Sequence, residues 1–276
     1  MGPASRAKEL RCWAPLMVCA FFASACIRAE PQAPAKPQDK SLHQRWDKLL
    51  KANVNQQGWV NYKNLRGKDA AELKAYLWEL AAADPARLGG KNDQKAFWIN
   101  AYNSICVQTI IDEGVPAEVP HAIFFGTNIF KLEKYKVAGK VRSLDEIEHE
   151  ILRVKYPDSR IHASVVCGAS SCPRLRPEAY TGETLDKQLD EEAKSWITVE
   201  KDKAGKRKNY LDRKSKTFHV SKIFDWYEVD FEDSEAGVLR FLRKHGTDSD
   251  REFLDNNKVN KVGIKYLTYD WSSNKQ

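Results

Sequence analysis

Fourteen residues, RIHASVVCGASSCP at 160–173, hold an imidazole and two thiols within reach of one another along the chain. Three chemistries fit them. Cys167 and Cys172 can close a local disulfide, which oxidising compartments favour. A thiol of the pair can act as a nucleophile with His162 as its base. A zinc site is the third, but the spacing matches no common ligand pattern and a fourth ligand is missing. The Gly168-Ala169-Ser170-Ser171 turn lets Cys172 fold back toward His162. With Pro173 at a first helical position, backbone amides would lower its thiol pKa.

Two other segments carry polar groups where apolar ones are expected. In QKAFWINAYNSICVQTIIDEG (94–114), Asn100, Asn103, Ser104 and Gln108 fall within roughly one third of a helix circumference. Either these amides cap neighbouring loops, or they line a pocket and donate to a developing oxyanion. Cys106 lies on the opposite side, as a buried thiol. In SLDEIEHEILR (143–153), Glu148 sits among Leu144, Ile147, Ile151 and Leu152, with His149, Glu146 and Glu150 outward. A carboxylate there is either a structural ion-pair partner, for Arg160 or Arg142, or an acid or orienting group.

The elements that must position these groups follow from periodicity and punctuation. Helical patterns cover about 41–53 and 69–82, and a longer one about 92–113 that is apolar almost all round and therefore central. Residues 130–142 alternate as strands around an Ala138-Gly139 turn. Ser143 and Glu146 form a capping-box pattern opening the helix that carries Glu148. Ile161–Val166 reads as a short strand, which puts His162 and Cys167 on opposite faces. Further helices are expected at about 183–198, 221–229 and 234–245, a Lys-rich hairpin around Gly205, and a last strand at 262–270. The mixture without βαβ alternation predicts an α+β fold, a central buried helix on a small, mainly antiparallel sheet.

The N-terminus has a different character. Arg6, Lys8 and Arg11 precede an apolar stretch, Trp13–Phe22, and the small residues Ala23-Ser24-Ala25. That is the layout of a secretory signal peptide over 1–25. Cys26 follows in a lipobox-like position, so a lipid anchor there is an expectation. Residues 26–40 are Pro- and Ala-rich and read as a linker, with one globular domain over 41–276.

Composition sets the outer limits. The chain has 276 residues, 42% of them hydrophobic and 11% aromatic, which excludes a disordered protein. No apolar run reaches a membrane-spanning length, and no repeat period indicates a solenoid. The formal charge of +7 falls to +5 once 1–25 is removed, a modest basic bias, and nucleic acid is not an expected partner of an exported protein. No phosphate-binding loop, dinucleotide fingerprint or HExxH motif is present, and neither cofactor nor metal is expected. The Lys-rich stretch 201–216 is either a solvated hairpin tip or an anion-binding surface.

Taken together, KAFWINAYNS (95–104), VAGKVRSLDEIEHEILR (137–153) and RIHASVVCGASSCPRLRPEAYTGETLDKQLDEEAKSWI (160–197) resemble the domain of unknown function 547 family, found in bacterial envelope proteins and in plants. SKIFDWYEVDF (221–231) and YDWSSN (269–274) extend the resemblance across about 90–274, with Ser273 departing where the family usually has Leu. It implies that Asn100, Tyr102, Asn103, Glu148, His162, Cys167, Cys172 and Asp270 belong to shared motifs. It supplies no activity. The order of buried helix, His strand and late Asp strand is also that of papain-like and transglutaminase-like folds. There His162 and Asp270 would be base and orienting group, although Lys95-Ala96-Phe97 stands where those folds carry their Cys.

Two functions follow as expectations. One is an exported envelope enzyme, a hydrolase or acyl transferase, with His162 as base, Glu148 or Asp270 orienting it and Cys172 or Cys167 as nucleophile. The other is a non-catalytic envelope module with a structural Cys167–Cys172 disulfide. The partner is a small molecule or an envelope polymer.

Overall fold

A computed structural model describes residues 40–119, 128–257 and 261–276, which belong to one compact unit, Lys36–Gln276. The expected signal peptide, most of the expected linker and Cys26 lie outside the described residues. Among the described residues no helix is long and apolar enough to cross a membrane.

The chain opens with α1 (Gln44–Asn53), α2 (Tyr62–Arg66) and α3 (Ala70–Ala82). Next comes α4 (Lys91–Asp112), the 22-residue helix at the centre. Its start is fixed by Asp93, whose carboxylate accepts the Gly90 N–H at 2.9 Å. Its end is the left-handed Gly114, φ +78°. The apolar residues on all sides of α4 are buried, Phe97, Ile99 and Ile110 completely, as expected for a helix surrounded by other elements. It packs against α2 and α3, against α5 (Leu144–Glu146) and the π-helical turn that leads from it into the short α6 (Arg153–Lys155), and against α7 (Leu185–Thr198).

The hairpin read around Ala138-Gly139 forms as β1 (Tyr135–Val137) and β2 (Lys140–Arg142). Both turn residues have positive φ, the geometry that two-residue hairpin turns require. A second sheet contains β3 (Tyr210–Asp212), β4 (Thr217–Val220) and β5 (Gly263–Tyr266). Strand β4 pairs antiparallel with β3 and parallel with β5. The fold is α+β with small, mainly antiparallel sheets.

Two hydrophobic clusters make up the interior. The first surrounds α4 and takes in Leu185 and Leu189 from the first half of α7. The second holds Ala193, Trp196 and Ile197 from its second half. It also includes residues from the three-stranded sheet, from α8 (Ile223–Trp226), from α9 (Glu235–His245) and from α10 (Asp248–Asn256). Ile161 belongs to the first cluster and Ala163 to the second, so His162 lies on the seam between them.

Segment 161–166 is not a strand. Residues Ser159–Ala163 form a 3-10 turn, opened by Asp158, whose side chain accepts the Arg160 N–H at 3.0 Å. The β-branched Ile and Val run found no neighbouring strand to pair with. The side chain of Asn103 serves instead, donating to Ser164 O at 2.9 Å and accepting from Val166 N at 3.0 Å. With the strand gone, the alternation that separated His162 from Cys167 no longer applies.

Candidate active site

Three elements converge on His162. The first is the helical run that begins at Ser143, whose hydroxyl accepts the Glu146 N–H at 3.0 Å. Glu146 does not complete a capping box, because its carboxylate pairs with Arg142. The run widens into a π-helical turn over Ile147–Leu152. A wider turn reduces the angle between successive side chains, and π turns recur at functional sites. Here it brings Glu148 and His149 to the same cavity, although an α-helical reading turned His149 outward.

Glu148 is 6% exposed. It does not pair with Arg142, which holds Glu146, or with Arg160, which holds Asp158, Asp186 and Asp190. Its Oε2 accepts instead from the Tyr102 hydroxyl on α4 at 2.9 Å, and its Oε1 lies 4.0 Å from His162 Nδ1. The hydroxyl of half-buried Tyr227 also bonds Glu148. Burial first, then the charge of Glu148, push the phenols of Tyr102 and Tyr227 far above their ordinary pKa, so both remain proton donors to the carboxylate.

The imidazole is oriented from its other side by Asp230, in the 3-10 turn Glu228–Phe231. Nε2 and Asp230 Oδ2 are 2.7 Å apart. Asp230 also takes a two-pronged contact from Arg153, at 2.5 Å from Nε and 3.0 Å from Nη2. Burial works to raise the Asp230 carboxyl, but hydrogen bonds from His162 and Arg153 outweigh it and hold the pKa at about 2. An ionised carboxylate only accepts, so Nε2 must carry the proton and a neutral imidazole keeps its lone pair on Nδ1. Tyr227 fixes the ring plane, with centroids 4.2 Å apart. Arg153 in turn lies over the Tyr227 ring, 5.2 Å from its centroid.

The short turn that holds Asp230 is itself constrained by a close approach. A Cβ on Gly237 of α9 would stand 1.8 Å from the Phe231 carbonyl oxygen, so only glycine lets α9 close over this turn.

The thiols are arranged differently from either expectation. Cys106, Cys167 and Cys172 are free. The turn between the last two depends on Gly168, at φ +77° and with Ile110 Cδ1 only 2.2 Å from where a Cβ would be. Cys172 accepts the Cys167 N–H at 3.0 Å, and Cys167 Sγ meets the Tyr269 hydroxyl at 3.1 Å. Pro173 opens no helix, so no helix terminus acts on Cys172. Burial, followed by Cys167, pushes the Cys172 thiol well up, the opposite of the lowering expected. Among the described residues neither thiol is hydrogen-bonded to His162.

Both asparagines bind backbone. Asn100 donates to Tyr180 O at 2.8 Å and accepts from Tyr180 N at 3.0 Å, and Asn103 clamps 164–166 in the same way. Each amide both donates to and accepts from backbone and neither lines the cavity that holds His162, which fits the loop-capping reading. Asp270 accepts from Ser272 N at 2.9 Å and caps its own turn. Its role as the partner of His162 passes to Asp230. The analogy with papain-like and transglutaminase-like folds therefore finds no support, since neither the His strand nor the Asp contact is present.

Sequence reasoning missed Asp230, Arg153 and Tyr227. Asp230 and Tyr227 stand in SKIFDWYEVDF, a segment already noted, but 65 or more residues from His162 along the chain. Glu148, His162, Cys167, Cys172, Tyr102 and Tyr227 all line one cavity of about 180 Å³. Among the described residues no group of three or more His, Cys, Asp or Glu is placed to hold a metal ion.

A family model described as "Protein of unknown function, DUF547" matches residues 85–197. No curated protein and no solved structure matches the chain. The matched stretch contains Tyr102, Glu148, His162 and both cavity thiols, and ends before Tyr227 and Asp230. Over residues 85–197, this chain is thus similar to the DUF547 family of proteins of unknown function.

Proposed function

We propose that the domain is a hydrolase in which His162 is the general base, acting in the cell envelope. One observation carries this reading. Nε2 of His162 is tied to an ionised Asp230 at 2.7 Å, which leaves Nδ1 as the basic nitrogen, 4.0 Å from Glu148 on the cavity wall. A gap of that width admits a water or a substrate hydroxyl between the two groups. In the proposed step Nδ1 removes a proton from the bridging water, whose oxygen attacks the substrate. The resulting imidazolium is stabilised by Asp230 and Glu148, and Nδ1 returns the proton to the leaving group. Glu148, with Tyr102 and Tyr227 donating to it, is the group that positions the bridging molecule.

The thiol nucleophile expected from the sequence is the weaker route. It needs a thiolate, and burial raises Cys172. Envelope location is supported by the charge, apolar core and small-residue order of 1–25, with Cys26 as the anchoring position. Cell fractionation that finds the chain uncleaved in the cytosol refutes it.

The activity is tested with a panel of chromogenic esters, amides and glycosides, comparing the wild type with His162→Gln and Glu148→Gln. The expected loss in His162→Gln is about 10²–10⁴-fold in kcat, with folding intact by circular dichroism. Turnover that His162→Gln leaves unchanged refutes the assignment. A second reading, binding without turnover, is favoured by the 3% exposure of His162. It is established if a ligand occupies the cavity and no member of the panel is converted.

A further inference from the structure

The proton chemistry leaves one wall of the cavity unused. Trp226 is 46% exposed, an unusual position for so large an apolar side chain. It stacks with Trp271 at 5.8 Å between centroids and 27° between planes, and with Tyr269 at 4.9 Å and 50°. Tyr269 and Trp271 meet at 4.6 Å and 53°. All three line the same cavity as His162 and Glu148. They come from the two segments IFDWY and YDW, and the base and its orienting groups use only Tyr227 among the cavity aromatics of these segments.

The way these rings pack selects among ligands. An ammonium ligand is held by rings that stand around it, each presenting a face to the charge. Here each ring touches the other two, so there is no room for a cation between them, and together they make a wall. A wall suits a ligand with a flat apolar face. Asp145, Glu148 and His149 also line the cavity, and a wholly apolar planar ligand would strip water from them without replacing its hydrogen bonds. A pyranose meets both demands. Its axial C–H bonds lie against the rings and its rim of hydroxyls donates to the carboxylates and the imidazole. The cavity volume of about 180 Å³ is on the scale of one monosaccharide, below the roughly 300–1,000 Å³ of drug-sized pockets.

We infer that the cavity is a sugar subsite, with Trp226 as its stacking platform backed by Tyr269 and Trp271. The inference names the substrate class for the acid–base reading above and rests on that reading's assignment of the cavity as the substrate site. Sugar binding itself requires only the wall and the polar groups that share its cavity.

The experiment titrates the purified chain with chitotriose and cellotriose, with tetramethylammonium and indole as the cationic and planar alternatives, by saturation-transfer NMR and calorimetry. At least one of the two sugars is expected to bind. Trp226→Ala is expected to weaken it about tenfold or more and Trp226→Phe by less, with the thermal midpoint nearly unchanged for so exposed a side chain. Binding of neither sugar, equal affinity in Trp226→Ala, or competition by tetramethylammonium or indole overturns the inference. The two readings fail separately. Trp226-dependent sugar binding without His162-dependent turnover refutes the base and leaves the subsite. His162-dependent turnover of esters without sugar binding refutes the subsite and leaves the base.

Discussion

Replacing Asp230 by Asn probes both the stability and the chemistry of the site. The unfolded carboxyl titrates near 3.8 and the folded one at about 2. A depressed folded pKa contributes stability that is complete above the unfolded value and is lost as pH falls through it toward the folded one. At full weight the difference corresponds to ~2 kcal/mol at neutral pH. Asp230 keeps a 22% exposed side chain, and solvent screening reduces the figure to about 1–2 kcal/mol. The substitution should therefore destabilise the protein by about that amount at pH 7. By linkage, about half of the difference should be gone by pH 3. The assay is urea unfolding of both proteins at pH 7, 5, 4 and 3, read from the transition midpoints. The chemical consequence is larger. An Asn amide can donate to Nε2, which moves the imidazole proton to Nδ1 and removes the base. A loss of about 10²–10⁴ in kcat is expected, far beyond what the stability change produces. Equal stability at pH 7, or a difference that does not narrow toward pH 3, refutes the assigned ion pair. Unaltered turnover refutes the tautomer argument.

Two further outcomes follow from the interior. Asn103→Ala leaves Ser164 O and Val166 N unpaired in the core and should cost about 2–4 kcal/mol in chemical denaturation. A loss under ~1 kcal/mol would mean that the turn does not depend on this clamp. Native-state alkylation, read site by site by mass spectrometry, should label half-buried Cys167 first and leave Cys106 and Cys172 protected until denaturant is added, because burial raises both of the latter. Recovery of a Cys167–Cys172 disulfide from the purified protein would overturn the free-thiol arrangement.

Much of the scaffold was legible in the sequence because it depends on local rules. An apolar surface all round α4 required burial, Ala138-Gly139 supplied the positive φ values of a hairpin turn, and Ser143 capped the helix bearing Glu148. Local rules failed where a tertiary contact replaced a local one. Ile161–Val166 has strand composition, but composition counts only if a neighbour supplies the hydrogen-bond partners. In this fold Asn103 supplies them from a helix, and Asn100 does the same for Tyr180. The polar stripe of α4 thus performs the work of an absent strand, which its helical spacing alone could not reveal.

The partners of His162 were hidden for a related reason. Periodicity places Glu148 on an apolar face but cannot show that Tyr102 and Tyr227 satisfy it in place of an arginine. Nor does it show that a π turn brings His149 to the same side. Asp230 reaches His162 across 68 residues, and the contact exists because two hydrophobic clusters meet between Ile161 and Ala163. A buried imidazole is costly to charge unless carboxylates flank it. The seam between the clusters supplies one on each side, Asp230 in contact and Glu148 held 4.0 Å away. If His162 served packing alone, the contact with Asp230 would suffice and an apolar residue at 148 would fill the space at lower cost. The second carboxylate, kept out of contact and on a cavity wall, is the feature that a purely structural account leaves unexplained and that the proposed proton transfer uses.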